Sequence, residues 1–157
     1  MARRYDRSMG STYELGRPTA RKPPFRYSAL TRVWFSDTDA QGVVYYGRYM
    51  PYFDHARTEY HRHLGLRMGT DDGEFAMRAS TVEYVAPARF DDLLEVFVRM
   101  SRLGTTSVTF EQAAYRVEDD ALMCTATQTM VFIDPERRKT AIPDAYRATV
   151  ETFEAGA

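Results

Sequence analysis

Residues 37–46 read Asp37-Thr38-Asp39-Ala40-Gln41-Gly42-Val43-Val44-Tyr45-Tyr46, and they join a strand-like run to a helix-like run. Asp and Gly are turn formers, so the chain reverses here, and the apolar Val-Val-Tyr-Tyr segment follows at once. Upstream, Tyr27 to Phe35 alternates as a strand does. Val33 and Phe35 fall on one face, Arg32 and Trp34 on the other. Downstream, Tyr49, Phe53, Ala56, Tyr60 and Leu64 recur three or four residues apart, which predicts an amphipathic helix over Tyr46 to Leu64. Gly65 is a natural stop, and Pro51 falls in the first turn or two, where its ring is tolerated. A carboxylate at a strand end beside a helix start can serve as nucleophile or general base next to free N–H donors. The same residues also make an ordinary turn and cap.

Beyond the helix, residues 65–75 are rich in Gly and Asp and read as a loop. Four strand-like runs follow: Phe75 to Tyr84, Leu93 to Leu103, Ser107 to Val117 and Ala121 to Ile133. They are separated by Pro87 to Asp92, Gly104-Thr105 and Glu118-Asp119-Asp120, all hairpin-like breaks. With the first strand this gives an α+β fold: one long helix packed on a curved antiparallel sheet of five strands. Such a sheet leaves open edges that need covering.

At 157 residues the chain is one domain by size, with 44% hydrophobic residues. No apolar run approaches the length of a membrane span, and the N-terminus lacks the pattern of a secretory signal. The lone Cys124 lies in a strand-like run and fits a buried hydrophobe in a reducing, cytoplasmic setting. The net charge of −1 is uneven: residues 1–26 carry seven basic residues against Asp6 and Glu14, a local +5. That Pro-containing, weakly periodic start reads as a flexible basic arm, residues 1–26, ahead of a single domain, residues 27–157. No aromatic and basic interleaving points to nucleic acid.

The run from Arg32 to Tyr46, then Tyr49, then Phe53 to Glu59, resembles the hotdog-fold acyl-CoA thioesterases. Within them it is most similar to the 4-hydroxybenzoyl-CoA thioesterase and Tol-Pal-associated thioesterase group. A second block, Val82 to Asp92 with its Tyr84 and Pro87-Ala88, resembles the same group in the same order, and the likeness spans residues 27–134. The resemblance implies the hotdog fold and hydrolysis of an acyl-CoA to free acid and coenzyme A. It implies no cofactor, and subunits paired side by side as homodimers or homotetramers with the active site at the seam. It places the catalytic carboxylate at Asp39, three residues before Gly42, and a carbonyl-polarising backbone amide at Tyr46. Asp37 is the alternate acid. Direct attack by Asp39 and activation of water both stay open.

Around these, Gly42, Val43 and Tyr49 are expected to line the substrate cleft, with His55 and Glu59 contributing from the helix that runs close to the acyl group. His55, Glu59 and His63 also share one helix face at i, i+4 and i+8, but a straight helix does not wrap three residues round one ion, so a solvated polar face is expected and no metal. Tyr45, Tyr46, Tyr49, Tyr52 and Tyr60 are core, interface or acyl-pocket walls. Arg99, Arg102, Arg137, Arg138 and Lys139 are available for the phosphates of coenzyme A. No Ser-centred elbow, Walker loop, dinucleotide fingerprint or Cys-pair zinc pattern is present. The rivals are a hotdog hydratase or dehydratase, because a fold does not fix chemistry, and a non-catalytic acyl-CoA-binding protein.

Overall fold

The computed structural model describes residues 14–66 and 73–156. Its strands are β1 (Gly16–Pro18), β2 (Tyr27–Arg32), β3 (Glu74–Tyr84), β4 (Leu93–Leu103), β5 (Ser107–Arg116) and β6 (Ala121–Ile133); its helices are α1 (Tyr49–His63) and α2 (Asp144–Ala155). The six strands make one sheet in the order β1-β2-β4-β5-β6-β3, with every neighbouring pair antiparallel. The long hairpins of β4, β5 and β6 follow from alternating apolar residues on strands of ten or more residues. On β4, Leu94, Val96 and Val98 point to the helix side and are fully buried. On α1, Phe53, Ala56 and Tyr60 meet them at the helical period, each with no exposed surface. A Phe53→Ala change would cost about 3–5 kcal/mol by the usual cavity rule.

The first strand is shorter than its alternation predicts. It ends at Arg32, because Val33 N–H turns to the carbonyl of Asp92 and a 3₁₀ turn begins at Phe35. Val33 stays buried, but Phe35 leaves the sheet and is 77% exposed, stacked edge-on against Phe90.

Two segments depart further. Residues 14–26, expected as part of a flexible arm, are built into the fold, and the sheet has six strands rather than five. Strand β1 pairs with β2 as Gly16↔Ala29, so closely that a Cβ at Gly16 would stand 2.6 Å from the Ser28 carbonyl oxygen. The chain then crosses the sheet face opposite α1. The Phe25 ring lies 5.9 Å from that of Phe97, and the Lys22 ammonium sits 4.0 Å from the Tyr115 ring centre. Arg21 reaches the buried Glu95 carboxylate at 2.5 Å, which also accepts from the Ser28 hydroxyl at 2.7 Å. Arg21 and Lys22, expected in a flexible arm, therefore partner acids and ring faces across the sheet, and Phe97 is fully buried beneath them. Residues 1–13 lie outside the described residues.

The second departure is α2, in a segment without an expected element. Tyr146 and Val150 bury one side of it, and Gly156 closes it in the left-handed conformation at φ +82°. Glu154 ties it down by accepting from the Tyr60 hydroxyl at 2.7 Å and from the Met100 N–H at 2.8 Å. His61 Nδ1 faces the Arg57 carbonyl at 2.8 Å, so it carries the proton, and the bare Nε2 accepts from the Tyr146 hydroxyl at 2.6 Å. The loop predicted over residues 65–75 falls partly outside the described residues, and Glu74 already opens β3.

Candidate active site at the entrance to the long helix

Between β2 and α1 the chain folds back on itself in a small hairpin. Asp39 N–H bonds the Val43 carbonyl at 2.9 Å, Gly42 N–H bonds the Asp39 carbonyl at 3.0 Å, and Thr38 bridges Val44. Gly42 has φ +75°, a left-handed angle that costs a side-chain-bearing residue energy and glycine none. The hairpin is pinned from behind, where Val43 bridges Arg89 and Val44 N–H bonds the Ala88 carbonyl at 2.8 Å. The Pro-Ala segment of the second sequence block thus supports the first.

The two acids have different surroundings. Asp37 is committed: one oxygen accepts from the Trp34 N–H at 2.9 Å and from the buried Tyr52 hydroxyl at 2.7 Å. Burial, then the bond to Asp37, raises the Tyr52 phenol well above its ordinary value. Asp39 uses one oxygen, Oδ1, to accept the Gln41 N–H at 2.8 Å, the bond of an Asx turn. Its Oδ2 takes no hydrogen bond from the described residues. One oxygen is anchored, and the other is available to a water or a substrate.

The hairpin delivers the chain into a 3₁₀ turn, Tyr46–Arg48, that runs straight into α1. The first N–H groups of a helix have no carbonyl behind them. Here Arg48 N–H bonds the Tyr45 carbonyl, while those of Tyr46 and Gly47 reach no carbonyl of the described residues. The helix dipole adds positive potential at this point, which suits a developing oxyanion. Aromatic rings gather around it: Tyr46 lies 4.3 Å from Tyr45 and 6.3 Å from Tyr84, and Tyr49 lies 5.9 Å from Tyr84.

Tyr84 ends β3, the edge strand, whose inward side continues through Val82 and Ser80. Facing them from α1 is Met50, whose sulfur is 3.9 Å from Ser80 Oγ and 3.7 Å from Gln128 Nε2. Below lies a polar floor: Gln128 accepts from Arg57 at 2.9 Å and from Gln112 at 3.0 Å, all three buried. The strip between the helix entrance and β3, the candidate acyl groove, is thus lined by Met50, Val82 and Ser80, with the polar cluster at its base.

Not every expected site residue faces this groove. Tyr49 is in the core, 3% exposed, one ring behind Tyr84. His55 turns the other way, with Nε2 3.0 Å from the Leu30 carbonyl on β2. Glu59 is also on the far side. It was expected on a solvated face, yet it is 4% exposed, because its carboxylate accepts the Leu15 N–H at 3.1 Å and pairs with Arg62. His63 faces Glu14 at 3.4 Å and stacks 5.1 Å from Tyr27. The stripe thus fastens β2 and the segment leading into β1, and its three members are drawn to separate partners. Among the suggested cations, Arg99 lies on the face away from α1 beside Glu111. Arg137 and Arg138 pair with Glu74 and Asp134. The groove residues not singled out from sequence are Met50, Ser80 and Gln128. The signal for Ser80 and Gln128 was present in the alternation of β3 and β6, but which strand forms the edge is not written in a periodicity.

Residues 33–150 match the family model described as thioesterase-like superfamily. An acyl-CoA thioester hydrolase YbgC of Escherichia coli O6:H1 is 39% identical over 111 residues, covering 69% of this chain and 82% of that protein. An acyl-CoA thioesterase YbgC of Haemophilus influenzae is 34% identical over 127 residues, 78% of this chain and 92% of its own. Among solved structures, Slr0204, a 1,4-dihydroxy-2-naphthoyl-CoA thioesterase from Synechocystis, superposes with a TM-score of 0.73 at 21% identity, over 78% of this chain and 93% of its own. At that identity the likeness speaks for the hotdog fold.

Proposed function

The chain belongs to the thioesterase-like superfamily, and from that premise we propose that it is an acyl-CoA thioester hydrolase whose reaction is run by the hairpin and helix start around Asp39. The observation that carries this reading is the division of labour between the two acids: Asp37 spends its carboxylate on Trp34 and Tyr52, while Asp39 keeps an oxygen open. A thioester needs an attacking oxygen and a place for the charge that builds on its carbonyl oxygen. Asp39 supplies the first, either by taking a proton from water or by attacking the carbonyl carbon itself. The N–H groups of Tyr46 and Gly47 supply the second. The C–S bond then breaks, coenzyme A leaves as a thiolate, and water provides the oxygen of the free acid. No metal is required for so good a leaving group. The acyl chain would lie along the strip between Met50 and Val82, beside the tyrosines.

The working unit is a dimer. Strand β3 has one neighbour, β6, and its run Met77–Thr81 is exposed. An eleven-residue edge with unpaired backbone groups is a template for a second strand. Pairing there would close the open side of the groove with the partner's surface. Thiol release from a panel of aromatic and aliphatic acyl-CoA esters, run on wild type and Asp39→Asn, tests the activity. Hydrolysis that depends on Asp39 is expected; a wild type inactive on the whole panel, or an Asp39→Asn variant as active as wild type, overturns it.

A further inference from the structure

The reaction assigned above needs the first peptides of the helix to hold one orientation, and the structure contains a side chain placed to hold them. Tyr84, on the edge strand, donates its hydroxyl to the carbonyl oxygen of Tyr46 at 3.2 Å. Its ring is fixed independently, 6.3 Å from Tyr46 and 5.9 Å from Tyr49 in edge-on contacts. Its backbone is fixed by the pairing of Tyr84 with Cys124 on β6. The carbonyl of Tyr46 and the N–H of Gly47 are two ends of one planar peptide unit, so a bond to the oxygen sets the direction of the N–H. It also polarises the unit, which makes the N–H a stronger donor. The preceding peptide needs no such help, since its carbonyl, that of Tyr45, is held from within the turn by Arg48 N–H at 2.8 Å.

We propose that Tyr84 is a positioning residue for the thioesterase reaction: its hydroxyl orients and polarises the Tyr46–Gly47 peptide so that the Gly47 N–H joins that of Tyr46 in receiving the oxyanion. The inference rests on the hydrolase reading, and it gives the aromatic wall a role beyond lining the acyl groove. Nothing else among the described residues bonds that carbonyl from outside the helix, so the contribution is Tyr84's own.

Tyr84→Phe removes only the hydroxyl and leaves the ring packing. A whole oxyanion donor is worth about a hundred- to a thousandfold in kcat, and polarisation changes a donor by about a tenth to a third. The expected result is a fall in kcat of about two- to eightfold with KM unchanged, because substrate binding by the groove is untouched. The amide ¹⁵N signal of Gly47 should move upfield in the same variant, a readout that bears on the peptide whatever the turnover. An unmoved Gly47 signal overturns the proposal, as does a moved signal with unchanged kcat, or a change confined to KM. A wild type active on acyl-CoA and dependent on Asp39, beside an unaffected Tyr84→Phe, sinks this inference alone. A wild type inactive on the panel sinks the hydrolase reading and this inference together.

Discussion

Asp39 and Asp37 are two residues apart and chemically identical, yet their hydrogen-bond partners differ. Asp39→Asn keeps the size of the side chain, and its amide oxygen can still accept the Gln41 N–H, so the fold should persist. Turnover should fall by at least about a hundredfold, since neither base nor nucleophile survives without the carboxylate. Retained folding by circular dichroism beside lost thiol release is the expected pair; near-full activity in Asp39→Asn with loss in Asp37→Asn would reverse the assignment. His61 gives a second prediction at this scale. Burial pushes its pKa down from 6.5 to about 4. In the unfolded chain it titrates near 6.5, so between these values the unfolded state binds more protons, and stability rises with pH through the window. That contribution, about 3 kcal/mol, is complete above pH 6.5 and is lost as pH falls toward 4. Urea unfolding from pH 4.5 to 7.5 should show the slope in wild type and not in His61→Gln; equal slopes would mean that burial does not hold the imidazole neutral.

At the scale of elements, the segment leading into β2 behaves as part of the sheet. It covers Phe97, satisfies Glu95 through Arg21, and brings the Leu15 N–H to Glu59. Removing residues 1–26 would bare the Phe97 ring and unpair a buried carboxylate. The loss should be about 3 kcal/mol, from a large apolar side chain returned to water and a charge left without its partner. For a chain of this size that lowers Tm by about 10 °C. Calorimetry on protein shortened by 26 residues, set against protein shortened by 13, checks it. Equal melting points would show that the packing of Phe25 on Phe97 contributes nothing. The helix α2 tells a related story. Its anchors, Glu154 to Tyr60 and Tyr146 to His61, are partners some 85 or more residues away in sequence. Local periodicity carries no trace of such pairings.

For the whole molecule, the sheet order leaves β3 as an outer strand, with the proposed acyl groove along its inner side. A groove open on one flank is poor at excluding water, and an open edge invites pairing. Activity should therefore track the dimer. Light scattering across a dilution series, with hydrolysis followed in parallel, should show turnover per subunit falling as monomer appears. A monomer with undiminished turnover would place the complete site within one chain.

The alternation of β3 to β6, the period of α1 and the turn at Asp39 to Gly42 were legible in the sequence, because each is a local pattern dictated by backbone geometry and side-chain burial. From them follow the α+β class and a carboxylate beside a helix start. The family resemblance reaches as far as Asp39 and Tyr46 for the same reason: the hairpin and the helix entrance are contiguous in the chain. What the tertiary structure decided is everything that depends on which distant residue arrives. It turned Glu59 and His55 toward β1 and β2 instead of the groove, and brought Tyr84 and Gln128 to it. It converted basic residues of a presumed arm into partners of Glu95 and Asp120. Charge and periodicity state what a residue can do; only the folded chain states what stands opposite it, because long-range pairing is set by topology and not by neighbours in sequence.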